Sequence, residues 1–273
     1  MTIEHDNNQP FSLTFDNTLL SEDYQKGNIK IIDTHAKSDK CLIFCSGNGL
    51  YFPNTKEEYT EKIRKNDRYE WEHIAHSKNI EKNFSKLIFI RDIYKQWYVS
   101  GINKELHCID ALVEYIKTET KKYKIITVGS SAGGYTAVLL GILLNAYRIV
   151  TVSGQYYLWS FVDRNPLLRK YKDDIHKSKY YDLRNILKNS DSQIVYIFPV
   201  RCENDLEQYN YVKNYSNIQF YRINSQNHGT GINSAQYPYI FLSDMNKMEK
   251  IYERYKDRII NGNMFYCDIN TWR

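Results

Sequence analysis

The sequence predicts an α/β fold, with a mainly parallel central sheet, helices on both faces and a helical cap insertion. Short β-rich segments alternate with longer helical segments along the 273 residues, and this order is typical of layered α/β domains. Several strand candidates are continuous apolar runs, as expected of strands buried on both faces. Hydrophobic residues make up 42% and charged residues 25% of the chain, which are ordinary values for a globular protein.

Runs rich in Ile, Val, Leu and Phe predict eight strands: Phe11–Phe15, Ile29–Thr34, Cys41–Cys45, Leu87–Arg91, Ile125–Val128, Ile149–Val152, Ile194–Val200 and Ile218–Ile223. Helical segments are predicted between or after them: Lys56–Asn66, Lys104–Lys122, Gly134–Ala146, Asp205–Asn214 and Ser243–Ile260. The aromatic and charged segment Tyr156–Ser192 lies between two strands, with helices predicted over Pro166–Lys172 and Tyr181–Lys188. No repeat or Pro/Gly-rich linker divides the chain, so we expect one domain over residues 1–273, with residues 156–192 as its cap.

Charge and hydropathy exclude several function classes. The net charge of +5 comes from basic residues interleaved with acidic ones, so no nucleic-acid partner is expected. Mean hydropathy is −0.60, and no apolar run approaches the ~20 residues of a membrane helix. The N-terminus MTIEHDNNQPFS has no signal-peptide pattern, so we expect a cytoplasmic protein whose cysteines are reduced thiols. A homo-oligomer is compatible with the sequence.

The strongest local motif is Gly129-Ser130-Ser131-Ala132-Gly133, which is G-x-S-x-G between an apolar strand and an apolar helix. A nucleophilic serine on such a sharp turn needs small residues two positions before and two after it. Ser131 meets this requirement and Ser130 does not, so Ser131 is the candidate nucleophile. The alternatives are a plain strand–helix turn and a phosphate-binding loop.

A serine nucleophile needs a base, and the base needs an orienting acid. His228 follows the last predicted strand in a loop of small residues, which suits the base. Asp205 follows the strand before it and is the candidate acid, with Glu203 as the alternative; Asp205 could instead cap the following helix. The chain order Ser131, Asp205, His228 is that of α/β-hydrolases.

Backbone N–H groups must stabilise the oxyanion that forms when the serine attacks. The N–H of Ala132, at the start of the helix, is one predicted donor. The glycine-containing loop Ser46–Gly49 follows an earlier strand, and Gly47 and Asn48 are the predicted second part of the oxyanion hole. The alternative for this loop is a plain tight turn at Asn48-Gly49.

Metal and nucleotide sites are not predicted. His73 and His76 form an H-x-x-H pair without a third ligand, and we interpret them as helix surface. Cys41 and Cys45 share one face of a strand and are interpreted as small core residues. Neither a P-loop motif nor a dinucleotide fingerprint after a strand is present.

With these features, the chain resembles the α/β-hydrolase superfamily over roughly residues 30–260. Within it the chain is similar to the α/β-hydrolase-type O-acetyltransferases of bacterial capsular polysaccharide synthesis, on three motifs: the Gly129–Gly134 elbow before a Leu-rich helix, the Asn204-Asp205 turn and the His228-Gly229 loop. The resemblance implies that Ser131 is the nucleophile, Asp205 the acid and His228 the base. It also implies acetyl-CoA as an acyl-donor substrate, with no tightly bound cofactor, and a glycan as acceptor.

Three functions remain open at this stage. The first is O-acetyl transfer to a surface polysaccharide or its precursor, in which the segment Gln155–Phe161 and the cap after it would exclude water. Trp97, Tyr98 and Trp159 are candidates for sugar stacking, and the alternative for each is a place in the core. The second is a carbohydrate esterase or serine hydrolase with the same three residues. The third is a non-catalytic scaffold in glycan assembly or secretion.

Overall fold

The computed structural model describes residues 18–25 and 27–261, so the predicted strand Phe11–Phe15 lies outside the described residues. Within them the sheet has eight strands: β1 (Ile29–Asp33), β2 (Lys40–Cys45), β3 (Lys86–Ile90), β4 (Lys124–Ser130), β5 (Arg148–Val152), β6 (Gln193–Pro199), β7 (Ile218–Ile223) and β8 (Ile259–Ile260).

The described helices surround this sheet: α1 (Thr18–Asp23), α2 (Lys56–Tyr59, continued by a π-helical turn over Thr60–Lys65), α3 (Glu72–Ala75), α4 (Lys78–Asn83), α5 (Ile109–Thr120), α6 (Ala132–Leu143), α7 (Pro166–Tyr171), α8 (Ile175–Ser178), α9 (Arg184–Leu187), α10 (Glu203–Val212), α11 (Tyr237–Leu242) and α12 (Met245–Tyr255). Single 3₁₀ turns occur at Trp159–Phe161 and Ser234–Gln236. No helix within residues 18–25 and 27–261 combines the length and apolar character needed to cross a membrane.

The strand order is β1-β3-β2-β4-β5-β6-β7-β8. The edge strand β1 is antiparallel to β3, and every other pairing is parallel. The carboxyl ends of β2, β4, β6 and β7 therefore open at the same edge of the sheet. In open parallel sheets, ligands bind outside this edge.

Both faces of the sheet are buried, as the continuous apolar strands predict. On β2 the side chains of Cys41 and Cys45 enter one core with α5, α6 and α10, whereas Leu42 and Phe44 enter the other with α4, α11 and α12. Every residue of α6 from Ala132 to Ile142 is buried, because this helix packs against the centre of the sheet. The predicted fold class is confirmed.

The predicted insertion is helical and lies between β5 and β6. The side chains of Leu168 and Tyr181 are fully buried and join the core that α6 forms with the sheet. The Tyr181 hydroxyl donates to the Leu168 carbonyl at 2.9 Å, and the Tyr135 hydroxyl of α6 donates to the Tyr180 carbonyl at 2.8 Å. The insertion is thus anchored to the helix that follows the elbow.

Several predicted boundaries were wrong, each for a local reason. The helix predicted from Lys104 begins at Ile109, because the Asn103 side chain accepts backbone N–H groups and forms a turn first. The helix predicted over Tyr181–Lys188 begins at Arg184, after an isolated bridge at Asp182.

The helix predicted over Ser243–Ile260 was wrong at its end. It stops at Tyr255, and Ile259–Ile260 instead pair with β7 as the edge strand β8. The apolar periodicity of the helix continues through Ile259–Ile260. Their strand pairing is not visible locally, because the partner strand β7 lies far away in sequence.

Candidate active site

Ser131 lies on a strained turn between β4 and α6. Its φ of 54° and ψ of −122° belong to a region that residues other than glycine rarely adopt. The Ser131 N–H donates to the Val152 carbonyl at 2.8 Å, and the Ser131 carbonyl accepts from the Tyr135 N–H at 3.0 Å. The surrounding hydrogen bonds hold the unusual conformation in place.

The two glycines of the motif allow this turn to pack closely. A Cβ added to Gly129 would lie 2.0 Å from the Gly133 carbonyl oxygen, and one added to Gly133 would lie 2.2 Å from the carbonyl oxygen of Cys45. Both distances are far below ordinary van der Waals contact. The G-x-S-x-G pattern is therefore a packing requirement of β2, β4 and α6.

Three of the predicted site residues form a hydrogen-bonded chain. The Nε2 atom of His228 lies 2.9 Å from the Ser131 Oγ, and its Nδ1 atom lies 2.9 Å from the Asp205 Oδ2. Asp205 is 1% exposed, and the His228 side chain is 39% exposed. This arrangement can pass a proton from a serine hydroxyl to an imidazole held by a buried carboxylate.

Asp205 lies in the first turn of α10, and the N-cap position belongs to Cys202. Asp205 is therefore not the N-cap residue of α10. The alternative acid, Glu203, is exposed on the same helix. Of the two carboxylates, Asp205 is the one that contacts His228.

The loop that carries His228 is fixed to the end of β5. Gly229 has a φ of 78°, and its N–H donates to the Ser153 Oγ at 3.0 Å. Ser153 also has a positive φ, 49°, and its N–H donates to the Ile197 carbonyl of β6. These contacts hold the imidazole at a fixed place beside the elbow.

The predicted oxyanion residues lie on two elements. Ala132 is the first residue of α6, where backbone N–H groups have no partner within the helix and the helix dipole favours negative charge. Gly47 and the 4% exposed Asn48 follow β2, in a tight turn closed by the Leu50 N–H on the Gly47 carbonyl at 3.4 Å.

The Gly47 N–H is already engaged. It donates to the Oε2 of Glu70 at 2.7 Å, and the Glu70 N–H in turn donates to the Ser46 Oγ at 3.1 Å. Burial raises the pKa of the Glu70 carboxyl, although the Gly47 N–H and the cations of Arg68 and Lys95 oppose the rise. In this conformation the Gly47 N–H, a predicted oxyanion donor, is hydrogen-bonded to the Glu70 carboxyl group.

Asp92, beyond β3, organises the loop behind the site. Its carboxylate accepts hydrogen bonds from three backbone N–H groups of its own loop, those of Tyr94, Gln96 and Tyr98. Burial raises its pKa to about 6, against those hydrogen bonds. The Tyr98 hydroxyl donates to the Ser46 carbonyl at 2.8 Å, so Asp92 supports the loop that bears Gly47.

Sequence reasoning missed Glu70 because its contact with Gly47 is long-range, and it missed Asp92 because the hydrogen bonds within its own loop follow no motif. Of the three aromatic residues considered for sugar stacking, two have the alternative role in the core. Trp97 is 1% exposed and Tyr98 is fully buried, and the Trp97 Nε1 donates to the Gln155 side chain at 3.0 Å. Trp159 is 40% exposed.

One group of side chains in the described part of the chain could hold a metal ion. Ligand atoms of Cys202, Asp205 and His228 lie within 4.8 Å of one another. Three ligands are fewer than the four of a structural zinc site, and two of them already bond each other. His73 and His76 are exposed around α3.

No family model and no curated protein matches this chain. Solved structures do match in fold. A capsule O-acetyltransferase of Neisseria meningitidis serogroup A has a TM-score of 0.51 at 15% identity, covering 84% of this chain and 93% of its own. A second structure of that enzyme, with caged gadolinium, has a TM-score of 0.51 at 17% identity and covers 84% and 92%.

A Staphylococcus aureus subsp. aureus Mu50 protein of unknown function has a TM-score of 0.51 at 12% identity, covering 83% of this chain and 94% of its own. At these identities the likeness concerns the fold. It agrees with the parallel sheet, its antiparallel edge strand and the serine elbow after β4. The chain therefore has the α/β-hydrolase fold, and in fold it resembles the capsule O-acetyltransferase.

Proposed function

We propose that this protein is a serine acyltransferase that forms an acyl-enzyme on Ser131 and passes an acetyl group to a hydroxyl of a surface polysaccharide or its precursor. The observation that carries the proposal is the chain of two 2.9 Å contacts from Ser131 through His228 to Asp205. An imidazole held between a hydroxyl and a buried carboxylate is the arrangement that activates a serine.

In the proposed acylation step, His228 takes the Ser131 hydroxyl proton as the serine oxygen attacks the carbonyl carbon of a thioester such as acetyl-CoA. Asp205 stabilises the imidazolium, and the Ala132 N–H stabilises the oxyanion. When the tetrahedral intermediate collapses, the carbon–sulfur bond breaks and the thiolate takes the proton from His228.

In the proposed transfer step, a sugar hydroxyl gives its proton to His228 and attacks the acyl-enzyme carbonyl. The ester bond to Ser131 breaks, and the serine oxygen recovers the proton from the imidazole. The fold likeness to the Neisseria capsule O-acetyltransferase supports an acetyl donor and a glycan acceptor.

Hydrolysis is the second candidate function. The His228 side chain is 39% exposed, and this exposure favours access of water to the acyl-enzyme. A carbohydrate esterase would use the same three residues, and only the attacking group would differ.

Purified protein incubated with acetyl-CoA, with and without glycans, separates the two functions. We expect O-acetylated glycan as the main product, and release of free acetate alone would favour the hydrolase. A fluorophosphonate probe is expected to label wild-type protein at Ser131 and to leave Ser131→Ala unlabelled. Absence of labelling in the wild type would contradict both enzymatic functions and favour the scaffold.

A further inference from the structure

A cleft of about 480 Å³ adjoins the elbow, and it is lined by Arg68, Tyr69, Glu70, Trp71, Glu72, His73 and Ser130. Ser130 is the neighbour of the candidate nucleophile. The Gly47 loop borders the cleft, since Glu70 accepts its N–H at 2.7 Å and a Cβ added to Gly47 would lie 2.6 Å from the Ser130 carbonyl oxygen.

The opposite side of the cleft reaches the loop of the candidate base. The Trp71 ring packs edge-on against Tyr237, with centroids 5.1 Å apart and planes at 90°. A Cβ added to Gly231, three residues after His228, would lie 2.3 Å from the Tyr237 hydroxyl oxygen. A Cβ added to Gly229 would lie 3.9 Å from the Oγ of Ser130, so the cleft borders both the Gly47 loop and the His228 loop.

The walls of the cleft combine the aromatic rings of Tyr69 and Trp71 with hydrogen-bonding groups. Trp71 is half-buried with a φ of 75°, and among the described residues its Nε1 has no hydrogen-bond partner. Glu72 bonds the Lys30 ammonium at 3.0 Å and the Tyr69 N–H at 3.1 Å. His73 is exposed at the rim.

Charge gives the cleft no attraction for a strongly anionic occupant. The carboxylates of Glu70 and Glu72 line the cleft together with the Arg68 guanidinium, and Glu72 is paired with the Lys30 ammonium at 3.0 Å, so the charges nearly balance. A nucleotide thioester carries several phosphates and would gain no net electrostatic attraction here.

We propose that this cleft is the acceptor subsite and that it binds an uncharged sugar ring, stacked on Trp71, with sugar hydroxyls donating to Glu70 and Glu72. The inference rests on the proposed transferase function. Carboxylates accept hydroxyl hydrogen bonds strongly, and an indole presents a flat apolar face to a pyranose ring.

Two measurements test the subsite. The first is binding of cellobiose and maltose to Ser131→Ala, read by ligand-observed NMR, with glucuronic acid and glucose 6-phosphate as anionic counterparts. We expect the neutral disaccharides to bind, Trp71→Ala in the same background to weaken binding about tenfold, and Trp71→Phe to retain most of it. Equal binding by Trp71→Ala, or preference for the anionic sugars, would overturn the proposal.

The second measurement is steady-state transfer from acetyl-CoA to the best-bound disaccharide. Trp71→Ala is expected to raise the acceptor KM about tenfold and to change kcat little. Tyr115→Ala, an exposed aromatic on α5, is the matched control. If the wild type binds sugar without transferring acetyl groups, the proposed function fails and the subsite stands. If it transfers and the Trp71→Ala KM is unchanged, only the subsite fails.

Discussion

The Oε2 atom of Glu70 lies 2.7 Å from the backbone nitrogen of Gly47. The Glu70 carboxyl group thus already accepts the N–H that was predicted to donate to an oxyanion. If Gly47 is to serve an oxyanion, this hydrogen bond must break during the reaction. A neutral acceptor would release the N–H more easily than a carboxylate, because charge-assisted hydrogen bonds are the stronger ones.

We therefore expect Glu70→Gln to be labelled by a fluorophosphonate about threefold faster than the wild type at neutral pH. Burial raises the Glu70 pKa above the usual range, so acidification protonates the wild-type carboxyl and the ratio of the two rates should approach one. Glu57→Gln removes an exposed carboxyl of α2 and is the control. A ratio that does not change with pH would contradict this role.

The role of the acid can be tested by comparing two carboxylates on the same helix. Asp205→Asn should slow labelling at Ser131 by about a hundredfold or more, because the imidazolium loses its buried counter-charge and its orientation. Glu203→Gln, at an exposed position, should label at the wild-type rate. The reverse result would assign the acid to Glu203.

The raised pKa of the buried Asp92 carboxyl group predicts that the stability of the folded protein depends on pH. Its pKa is about 6 in the folded protein, against an ordinary value of 3.8, so the folded state binds the proton more readily than the unfolded state. Acidification from pH 7 through 6 towards 4 should therefore stabilise the wild type relative to Asp92→Asn, by up to about 3 kcal/mol.

Urea unfolding of both proteins at pH 7 and pH 4.5 measures this difference, and the exposed Asp173→Asn is the control for loss of one charge. If the wild type instead loses stability relative to Asp92→Asn as the pH is lowered from 7 to 4.5, the expected sign is contradicted.

Gly133→Ala should disrupt the elbow. The new methyl group would lie 2.2 Å from the Cys45 carbonyl oxygen, and relief of that clash must move β2 away from α6. We expect about 3 kcal/mol less stability and loss of Ser131 labelling. Gly49→Ala is the comparison, because its Cβ would lie 3.6 Å from the Glu70 side chain. Equal effects would show that close packing at Gly133 is unimportant.

The parts of the fold predicted from sequence are those with a local physical signature. Strands such as Cys41–Cys45 are apolar throughout because both faces of the sheet are covered, and the elbow needs small residues at fixed spacing. The two-residue β8 has no such signature, since its pairing with Arg222 and Ile223 is decided by tertiary contacts.

The candidate site divides in the same way. Ser131, Asp205 and His228 each follow a recognisable strand, and parallel strands bring such positions together. Glu70 does not directly follow a strand. Its approach to Gly47 depends on how residues 66–71 pack against the loop after β2. Trp71, which lines the cleft, was not distinguished from the other aromatic residues by any motif.

The shared core beneath the insertion has a consequence for cooperativity. Because Leu168 and Tyr181 are buried with the side chains of α6, the insertion and the sheet should melt in a single transition. A truncated chain without the insertion would expose that apolar surface and would not retain a native elbow. The shape of the insertion should then be set when the protein folds, and no separate hinged movement is needed to form it.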